Sequence, residues 1–306
     1  MKDTLIVNAL SIDLEDWFHP ELIRSRVGAA RASGAPRPEP RALWAVEPLL
    51  GLLDRYDVRA TFFVVGEVLR SHPDLIRRIH DAGHEIGCHG WSHRPLWELD
   101  PDHFSRELET YDRELAGVMP VEQVVGFRAP TFSVDERTGW AVDILTAHGY
   151  RYDSSVFPTR NYLYGVDGCP PVPYRPTVDE LTVDHPELRD DPDALIEFPM
   201  TVVPYLGINV PVSGGFYLRL MPGGVFRWFL GRVEAEGRPF VIYLHPWEAD
   251  AATPRLKKLP LIDRFVTYYG AGGVIRKLEA LLQRFRFAPI RDVLGIESGR
   301  RIEARG

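Results

Sequence analysis

Two hydrophobic patterns alternate along the 306-residue chain. Short apolar runs of strand length, typical of buried strands, occur at residues 5–12, 59–65, 85–88, 123–128, 150–153, 196–203 and 239–245. Between them, apolar residues at helical spacing and turn signals predict helices at 43–56, 71–83, 101–115, 136–148, 225–236 and 274–285. This alternation of strand and helix predicts an α/β fold with a mainly parallel sheet.

Two stretches depart from the alternation. The segment after the first strand, up to about Arg41, carries several glycines and prolines and predicts a long loop. Prolines, aspartates and aromatic residues crowd residues 157–195, which predicts an insertion of loops and short strands. We interpret residues 1–306 as one catalytic domain that contains this insertion and a C-terminal extension from about residue 250.

Composition and charge narrow the class of partner. The net charge of −7 comes without a long acidic or basic run, so nothing favours a nucleic-acid or anionic-membrane partner. The N-terminal apolar run is interrupted by Asn8 and Ser11 and lacks a cleavage site, so it predicts neither a signal peptide nor a membrane span. We therefore expect a cytoplasmic protein, and the sequence leaves its oligomeric state open.

Charged and metal-binding residue types follow several predicted strands. Parallel α/β folds form their sites beyond the carboxyl ends of strands, so these side chains are expected to converge. Two imidazoles and one carboxylate leave coordination positions open for water and substrate, as a catalytic metal site requires. The alternatives are hydrogen-bonded loop or core histidines, a solvated acidic loop and a surface arginine. The residues concerned are Asp13, Glu15, Asp16, His89, His93, Arg128 and His245.

Five segments, in order, resemble the motifs of the NodB-homology polysaccharide deacetylases (carbohydrate esterase family 4). They are SIDLED, HGWSH, RAP, YDSS and LH, and Gly90 stands where the second motif usually has Ser or Thr. The longer forms IDLEDWF, RAPTFS, YDSSVFP and LHPWE, together with VSGGFYLRLMP and the tail, look most like the subgroup tied to exopolysaccharide loci with exosortase and PEP-CTERM sorting. The resemblance implies a distorted (β/α) barrel, often with seven strands.

The resemblance also implies roles for the acidic residues and histidines. The family's acidic motif has two adjacent aspartates, a base and a metal ligand, and three carboxylates here compete for these roles. We assign Asp13 as base and Asp16 as the ligand beside His89 and His93, with Glu15 as the substitute for either. By the same resemblance Arg128 holds the base ionised, His245 protonates the leaving amine and Asp153 tunes that histidine. The metal would be Zn²⁺, with Co²⁺, Ni²⁺ and Fe²⁺ as alternatives.

The implied reaction is hydrolysis of the N-acetyl groups of N-acetylhexosamine units in an exopolysaccharide or its precursor, at the cytoplasmic face of the membrane. Aromatic residues beside the motifs could stack on sugar rings, although each could equally be a core residue. The predicted substrate-binding residues are Trp17, Trp91, Pro130, Tyr217, Leu244 and Trp247. Peptidoglycan, a small cyclic amide, and a non-catalytic carbohydrate-binding role remain the alternatives.

Overall fold

The computed structural model describes residues 6–256, 258–297 and 299–300, so Leu5, the first residue of the predicted first strand, lies outside the described residues. The strands are β1 (Val7–Leu14), β2 (Thr61–Val64), β3 (Glu85–Cys88), β4 (Gly126–Phe127), β5 (Tyr152–Asp153), β6 (Ile196–Glu197), β7 (Val202–Tyr205), β8 (Ile208–Pro211), β9 (Val241–Leu244) and β10 (Arg286–Ala288). The helices are α1 (Glu21–Ala32), α2 (Ala42–Ala45), α3 (Glu47–Arg55), α4 (Gly66–Ser71), α5 (Pro73–Asp81), α6 (Pro101–Leu115), α7 (Ala141–Ala147), α8 (Gly215–Leu220), α9 (Gly223–Ala235), α10 (Pro246–Ala249), α11 (Leu261–Tyr268), α12 (Val274–Leu282) and α13 (Ile290–Val293).

Strand β1 organises the main sheet because it is long enough to pair with three other strands. One edge of β1 pairs with β9, with Ala9 opposite Val241. The other edge pairs first with β10, and then with β2, where Asp13 lies opposite Phe63. From β2 the sheet continues in chain order through β3, β4, β5 and β6, and every pairing is parallel. The carboxyl ends of these strands therefore meet at one edge, as the sequence predicts.

The two ends of this curved array meet through contacts between β9 and the chain that follows β6. The Thr201 hydroxyl donates to the carbonyl of Val241 (3.0 Å) and accepts from the Val241 N–H (2.8 Å). Farther along β9, the Tyr243 N–H donates to the Ser213 carbonyl (2.8 Å). The predicted distorted barrel is confirmed: β9 and β1 to β6 form it, and the short strand β10 brings the described sheet to eight strands.

Helix α6 shows how the amphipathic pattern positions helices on the sheet. The Asp100 carboxylate caps its first turn by accepting from the His103 N–H (2.8 Å). Its buried residues are Phe104, Leu108, Tyr111 and Leu115, which recur at helical spacing and face the core. The predicted bounds of this helix, 101–115, are those of the structure.

Other predicted elements differ in detail. The predicted loop before Arg41 contains the helix α1, whose alanines and arginines favour a helix although only Ile23 is buried. The helix predicted over 71–83 begins at Pro73, because Ser71 instead ends the separate helix α4. The run at 196–203 is not one strand, since β7 and β8 form a separate antiparallel hairpin. None of the described helices is long and apolar enough to cross a membrane.

Candidate active site

Two carboxylates lie at the carboxyl end of β1, with Asp13 inside the strand and Glu15 directly after it. Ser11, Asp13 and Glu15 are spaced by two residues, and all three are buried. The Arg128 guanidinium joins the first two, because its Nη1 lies 2.7 Å from the Ser11 hydroxyl and 2.7 Å from Oδ1 of Asp13. The end of β1 therefore presents Asp13 in a buried ion pair, with Glu15 one step further along.

Arg128 is fully buried yet well satisfied. It follows β4, and its Nε and Nη2 donate to the carbonyl and hydroxyl oxygens of Ser154 at 2.9 and 3.0 Å. The ring of Phe63 lies under the guanidinium, 4.3 Å from its carbon to the ring centroid. A buried charge needs such partners, so Arg128 is held in one position and in turn fixes Asp13.

The two predicted histidines lie beyond the end of β3. Nδ1 of His89 lies 2.8 Å from the Arg128 carbonyl oxygen, and since a carbonyl can only accept, Nδ1 carries the proton and Nε2 is left as the basic nitrogen. Burial lowers the pKa of His89 to about 4, which keeps its imidazole neutral, the form that binds metals. The backbone reverses at Gly90 and His93, both with positive φ (70° and 54°), and this turn brings the second imidazole back towards the first.

Glu15, His89 and His93 form the candidate metal-binding cluster. One ligand atom from each lies within 4.8 Å of the others. Oε2 of Glu15 lies 2.6 Å from Nε2 of His93, but it is buried and accepts no hydrogen bond from the described residues. Burial alone would raise the pKa of Glu15, but His93 and His245 outweigh it and hold the pKa well below its usual value. An ionised, buried oxygen without a hydrogen-bond donor fits a cation at this place.

The predicted ligand Asp16 takes part in other contacts. Its Oδ1 accepts from the backbone N–H groups of Arg41 and Ala42, the latter at 3.0 Å. These bonds hold the start of α2 against the end of β1. Glu15, the predicted substitute, is the carboxylate whose ligand atom lies beside those of the two histidines.

His245 approaches the same carboxylates from the end of β9. Its Nε2 lies 3.9 Å from Oδ2 of Asp13 and 3.6 Å from Oε1 of Glu15. Its Nδ1 lies 3.1 Å from Oε2 of Glu248, which also accepts from the His245 backbone N–H (2.9 Å). Burial opposes protonation, but Glu15 and Glu248 outweigh it and raise the pKa of His245 to about 9.

Glu248 and Arg219 hold this histidine, and sequence reasoning missed both. Nε of Arg219 donates to Oε1 of Glu248 at 2.7 Å, and both side chains are buried. Although burial raises it, the pKa of Glu248 falls to about 2 because Arg219 and His245 are close. Glu248 could have been found as the fourth residue of HPWE, a capping-box spacing. Arg219 carries no comparable local signal.

Asp153, the predicted partner of His245, takes part in another set of contacts. It accepts from the Ser155 hydroxyl and lies opposite Glu197 in the β5–β6 pairing. Burial raises the pKa of Asp153 to about 6. In the structure the carboxylate of Asp153 is thus engaged with Ser155 at the β5–β6 pairing, whereas Glu248 contacts the imidazole of His245.

A cavity of about 130 Å³ opens over these groups. Of the predicted substrate-binding residues, Trp247 lines it, and its Nε1 donates to Oε1 of Glu15 (3.1 Å). Trp17 is buried against the backbone carbonyl of Glu39, and Trp91 packs under Arg70. The remaining predicted residues, Pro130, Tyr217 and Leu244, do not line the cavity either. Its apolar wall comes instead from residues that the sequence did not single out, namely Leu22, Phe132, Leu163, Tyr164, Phe216, Tyr243 and Val266.

Comparison with known families supports the sequence resemblance. A family model described as polysaccharide deacetylase matches residues 44–152, and a model described as a domain of unknown function, DUF3473, matches residues 154–295. Residues 44–152 are thus similar to polysaccharide deacetylases, and the region after them is similar to a family without an assigned function. Asp13 and Glu15 precede both matched ranges, whereas His245 and Glu248 lie in the second.

Similar proteins cover parts of the same chain. An uncharacterized 30.6 kDa protein from Geobacillus stearothermophilus is 34% identical over 34% of this chain and 38% of its own length. A peptidoglycan deacetylase from Helicobacter pylori is 28% identical over 51% of this chain and 50% of its own. The chain thus covers half or less of each relative.

Solved structures share the fold over almost the whole chain. A putative polysaccharide deacetylase from Mycobacterium smegmatis has a TM-score of 0.57 at 21% identity, covering 98% of this chain and 95% of that one. Puue allantoinase has a TM-score of 0.56 at 15% identity, covering 94% and 88%. At these identities the likeness concerns the fold alone.

Proposed function

We propose that this protein is a metal-dependent hydrolase that removes N-acetyl groups from N-acetylhexosamine units of an exopolysaccharide or its precursor. The observation that carries the proposal is the meeting, in one cavity, of a two-histidine, one-carboxylate cluster with an arginine-paired aspartate and a carboxylate-held histidine. A binding protein has no need for these groups together. Amide hydrolysis uses each of them.

Glu15, His89 and His93 would hold the metal. Their donor set suits Zn²⁺, with Co²⁺, Ni²⁺ or Fe²⁺ as alternatives, and three protein ligands leave room for water or substrate. The buried Oε2 of Glu15, which accepts no hydrogen bond from the described residues, supports this assignment. When bound, a divalent ion supplies Lewis acidity, which lowers the pKa of water to roughly 7 and polarises an amide carbonyl.

Asp13 serves as the general base. Its Oδ2 is directed towards His89 and His245, while Oδ1 is held by Arg128. Oδ2 can take a proton from the water that attacks the acetyl carbonyl carbon only if the carboxylate stays in this orientation. Arg128 supplies that constraint because its other nitrogens are anchored on Ser154.

His245 serves as the general acid for the leaving amine. The contact of Nδ1 with Glu248 favours the protonated imidazole, and Nε2 faces the carboxylates in the cavity. An amine leaves as a neutral molecule once it has received a proton. In this mechanism Asp13 receives a proton from the attacking water and His245 gives one to the leaving amine.

The two matched sequence ranges act as one catalytic unit in this proposal. His89, His93 and Arg128 come from the first range, and His245 from the second. Their strands belong to the same sheet. This supports a single catalytic domain over the chain, with residues 157–195 as an insertion and the part after about residue 250 as an extension.

The proposal is tested by acetate release from N-acetylglucosamine oligomers. We expect wild-type protein reconstituted with Zn²⁺ or Co²⁺ to release acetate, and Asp13→Asn to lose at least about 100-fold in rate while keeping its metal. Acetate release from peptidoglycan fragments, or ring opening of a cyclic amide, without acetate release from the oligomers would assign the protein to that other substrate class. Oligomer binding without hydrolysis of any of the three would indicate a carbohydrate-binding protein.

A further inference from the structure

One helix near the cavity exposes an unusual amount of apolar surface. Leu261 and Ile262 of α11 are 82% and 68% exposed, and Phe265 and Tyr269 are 45% and 47% exposed. Their spacing of one, three and four residues places the first three on one side of the helix, and Tyr269 continues that side just after the last residue of the helix. The buried residues of this helix are Thr267, on the opposite side, and Tyr268.

Basic residues flank this apolar side. Residues 255–264 contain four basic residues and one acidic residue, a net charge of +3 in a chain whose net charge is −7. Of these basic residues, Arg255, Lys258 and Arg264 are described and are exposed. The negative net charge of the whole chain therefore gives no sign of this local cluster of positive charge. The α11 surface is defined here as Arg255, Lys258, Leu261, Ile262, Arg264, Phe265 and Tyr269.

The α11 surface adjoins the mouth of the active-site cavity. Val266 and Thr267 of the same helix line the cavity, as does Phe216. The Phe216 ring lies 6.2 Å from the ring of Phe265, so the cavity wall continues into the exposed side of the helix. Whatever covers α11 therefore lies against one rim of the site.

We propose that the α11 surface docks on an anionic lipid bilayer. An amphipathic helix that combines large apolar residues with lysines and arginines lies in the membrane interface, with its apolar side among the acyl chains and its cations at the headgroups. Tyrosine is favoured at the same depth. A second copy of the chain fits less well, because a two-fold contact through one surface would bring its own cations together.

Docking brings the cavity rim to the membrane surface. A glycan anchored on a lipid would then reach the cavity without leaving the bilayer, whereas a free glycan would gain nothing. This consequence rests on the proposed deacetylase function, but the docking itself does not.

The test is sedimentation of the full chain with sucrose-loaded vesicles. We expect binding to phosphatidylcholine vesicles that contain 30% phosphatidylglycerol and little binding to phosphatidylcholine alone. Lys258→Glu/Arg264→Glu should weaken binding about tenfold or more, since each cation near the surface contributes. Leu261→Ser/Ile262→Ser should weaken it about tenfold through lost apolar contact.

The β7–β8 hairpin supplies a matched control, since Leu206 and Ile208 are 86% and 65% exposed. Leu206→Ser/Ile208→Ser should bind vesicles like the wild type. Equal binding to both kinds of vesicle, or unchanged binding of both α11 variants, overturns the proposal, as does loss of binding in the hairpin control. A dimer that dissociates in Leu261→Ser/Ile262→Ser, seen by analytical ultracentrifugation without vesicles, would assign the surface to a second copy.

Vesicle binding and acetate release test the docking and the deacetylase activity separately. Neither α11 variant alters a residue of the site, so both should release acetate from water-soluble oligomers at the wild-type rate. Vesicle binding without any acetate release supports the docking and counts against the deacetylase alone. Acetate release without vesicle binding leaves the deacetylase and overturns the docking.

Discussion

The buried pair of Arg219 and Glu248 should control both stability and the position of His245. Oε1 of Glu248 accepts a hydrogen bond from Nε of Arg219 (2.7 Å), and Oε2 accepts one from the backbone N–H of His245 (2.9 Å). Glu248→Gln keeps the shape and removes the charge, which leaves the Arg219 cation without a buried anion. Breaking such a pair costs about 3–5 kcal/mol, and since glutamine retains one acceptor oxygen, we expect a loss of ~3 kcal/mol in unfolding free energy.

The same change should lower activity by a separate route. Without the carboxylate, Nδ1 of His245 loses the acceptor that holds the ring and favours its protonation. We expect kcat for acetate release to fall about 100-fold, within the usual range for a general acid. KM should change little, because Glu248 acts here as a positioning residue for His245.

Urea unfolding and steady-state kinetics on matched variants separate the two effects. Arg219→Met/Glu248→Leu removes both charges, so stability should return to within about 2 kcal/mol of the wild type, whereas kcat should stay low. Glu47→Gln removes a carboxylate that is half exposed and pairs with Arg78, and it should cost less than ~1 kcal/mol. Recovery of kcat together with stability in the double variant would refute the positioning role. A loss in Glu248→Gln no larger than that in Glu47→Gln would refute the buried-pair reasoning.

Three further predictions follow from the site. Glu15→Gln should lower bound Zn²⁺ well below one equivalent by elemental analysis, whereas Asp16→Asn should retain it; the opposite result would restore Asp16 as the ligand. Arg128→Met should lower the unfolding free energy by about 3–5 kcal/mol in urea, because it removes the guanidinium that is bonded to the buried carboxylate of Asp13, and a change below ~1 kcal/mol would contradict this. Dialysis against a chelator should abolish acetate release and added Zn²⁺ or Co²⁺ should restore it, whereas full activity in a protein shown to be metal-free would exclude the metal.

The fold was largely predictable because its signals are local. Apart from Val7 the residues of β1 to β3 are buried, and α6 carries a cap and a regular apolar side. The helix α1 was missed because it buries little, so it has almost no hydrophobic period to detect. Strand β10 was missed because three residues are too few to show a pattern, and its place beside β1 depends on tertiary contacts.

The part of the site that lies at the strand ends was predictable, because parallel strands end at one edge of the sheet. The side chains of His89, Arg128 and His245 meet because each residue directly follows the carboxyl end of a parallel strand. The choice between Glu15 and Asp16 was not predictable, because both residues follow the end of β1 at Leu14. The partner of His245 was not predictable in the same way. Arg219 and Glu248 lie 29 residues apart and meet only when α8 packs beside α10. The hydrophobic cavity wall also depends on loops whose conformation no local pattern fixes.

The central claim, that a histidine-held metal makes this protein an amide hydrolase, is tested most directly by measuring metal and acetate together. We would determine bound metal by elemental analysis in wild type and His89→Ala, with His80→Ala as a control that alters a histidine bonded to Gln123 on the surface. The same samples would be assayed on N-acetylglucosamine oligomers. The account predicts about one metal ion per chain and acetate release in wild type and His80→Ala, with both lost in His89→Ala. Wild-type protein that binds no metal under replete conditions, or His89→Ala that still releases acetate, would contradict it.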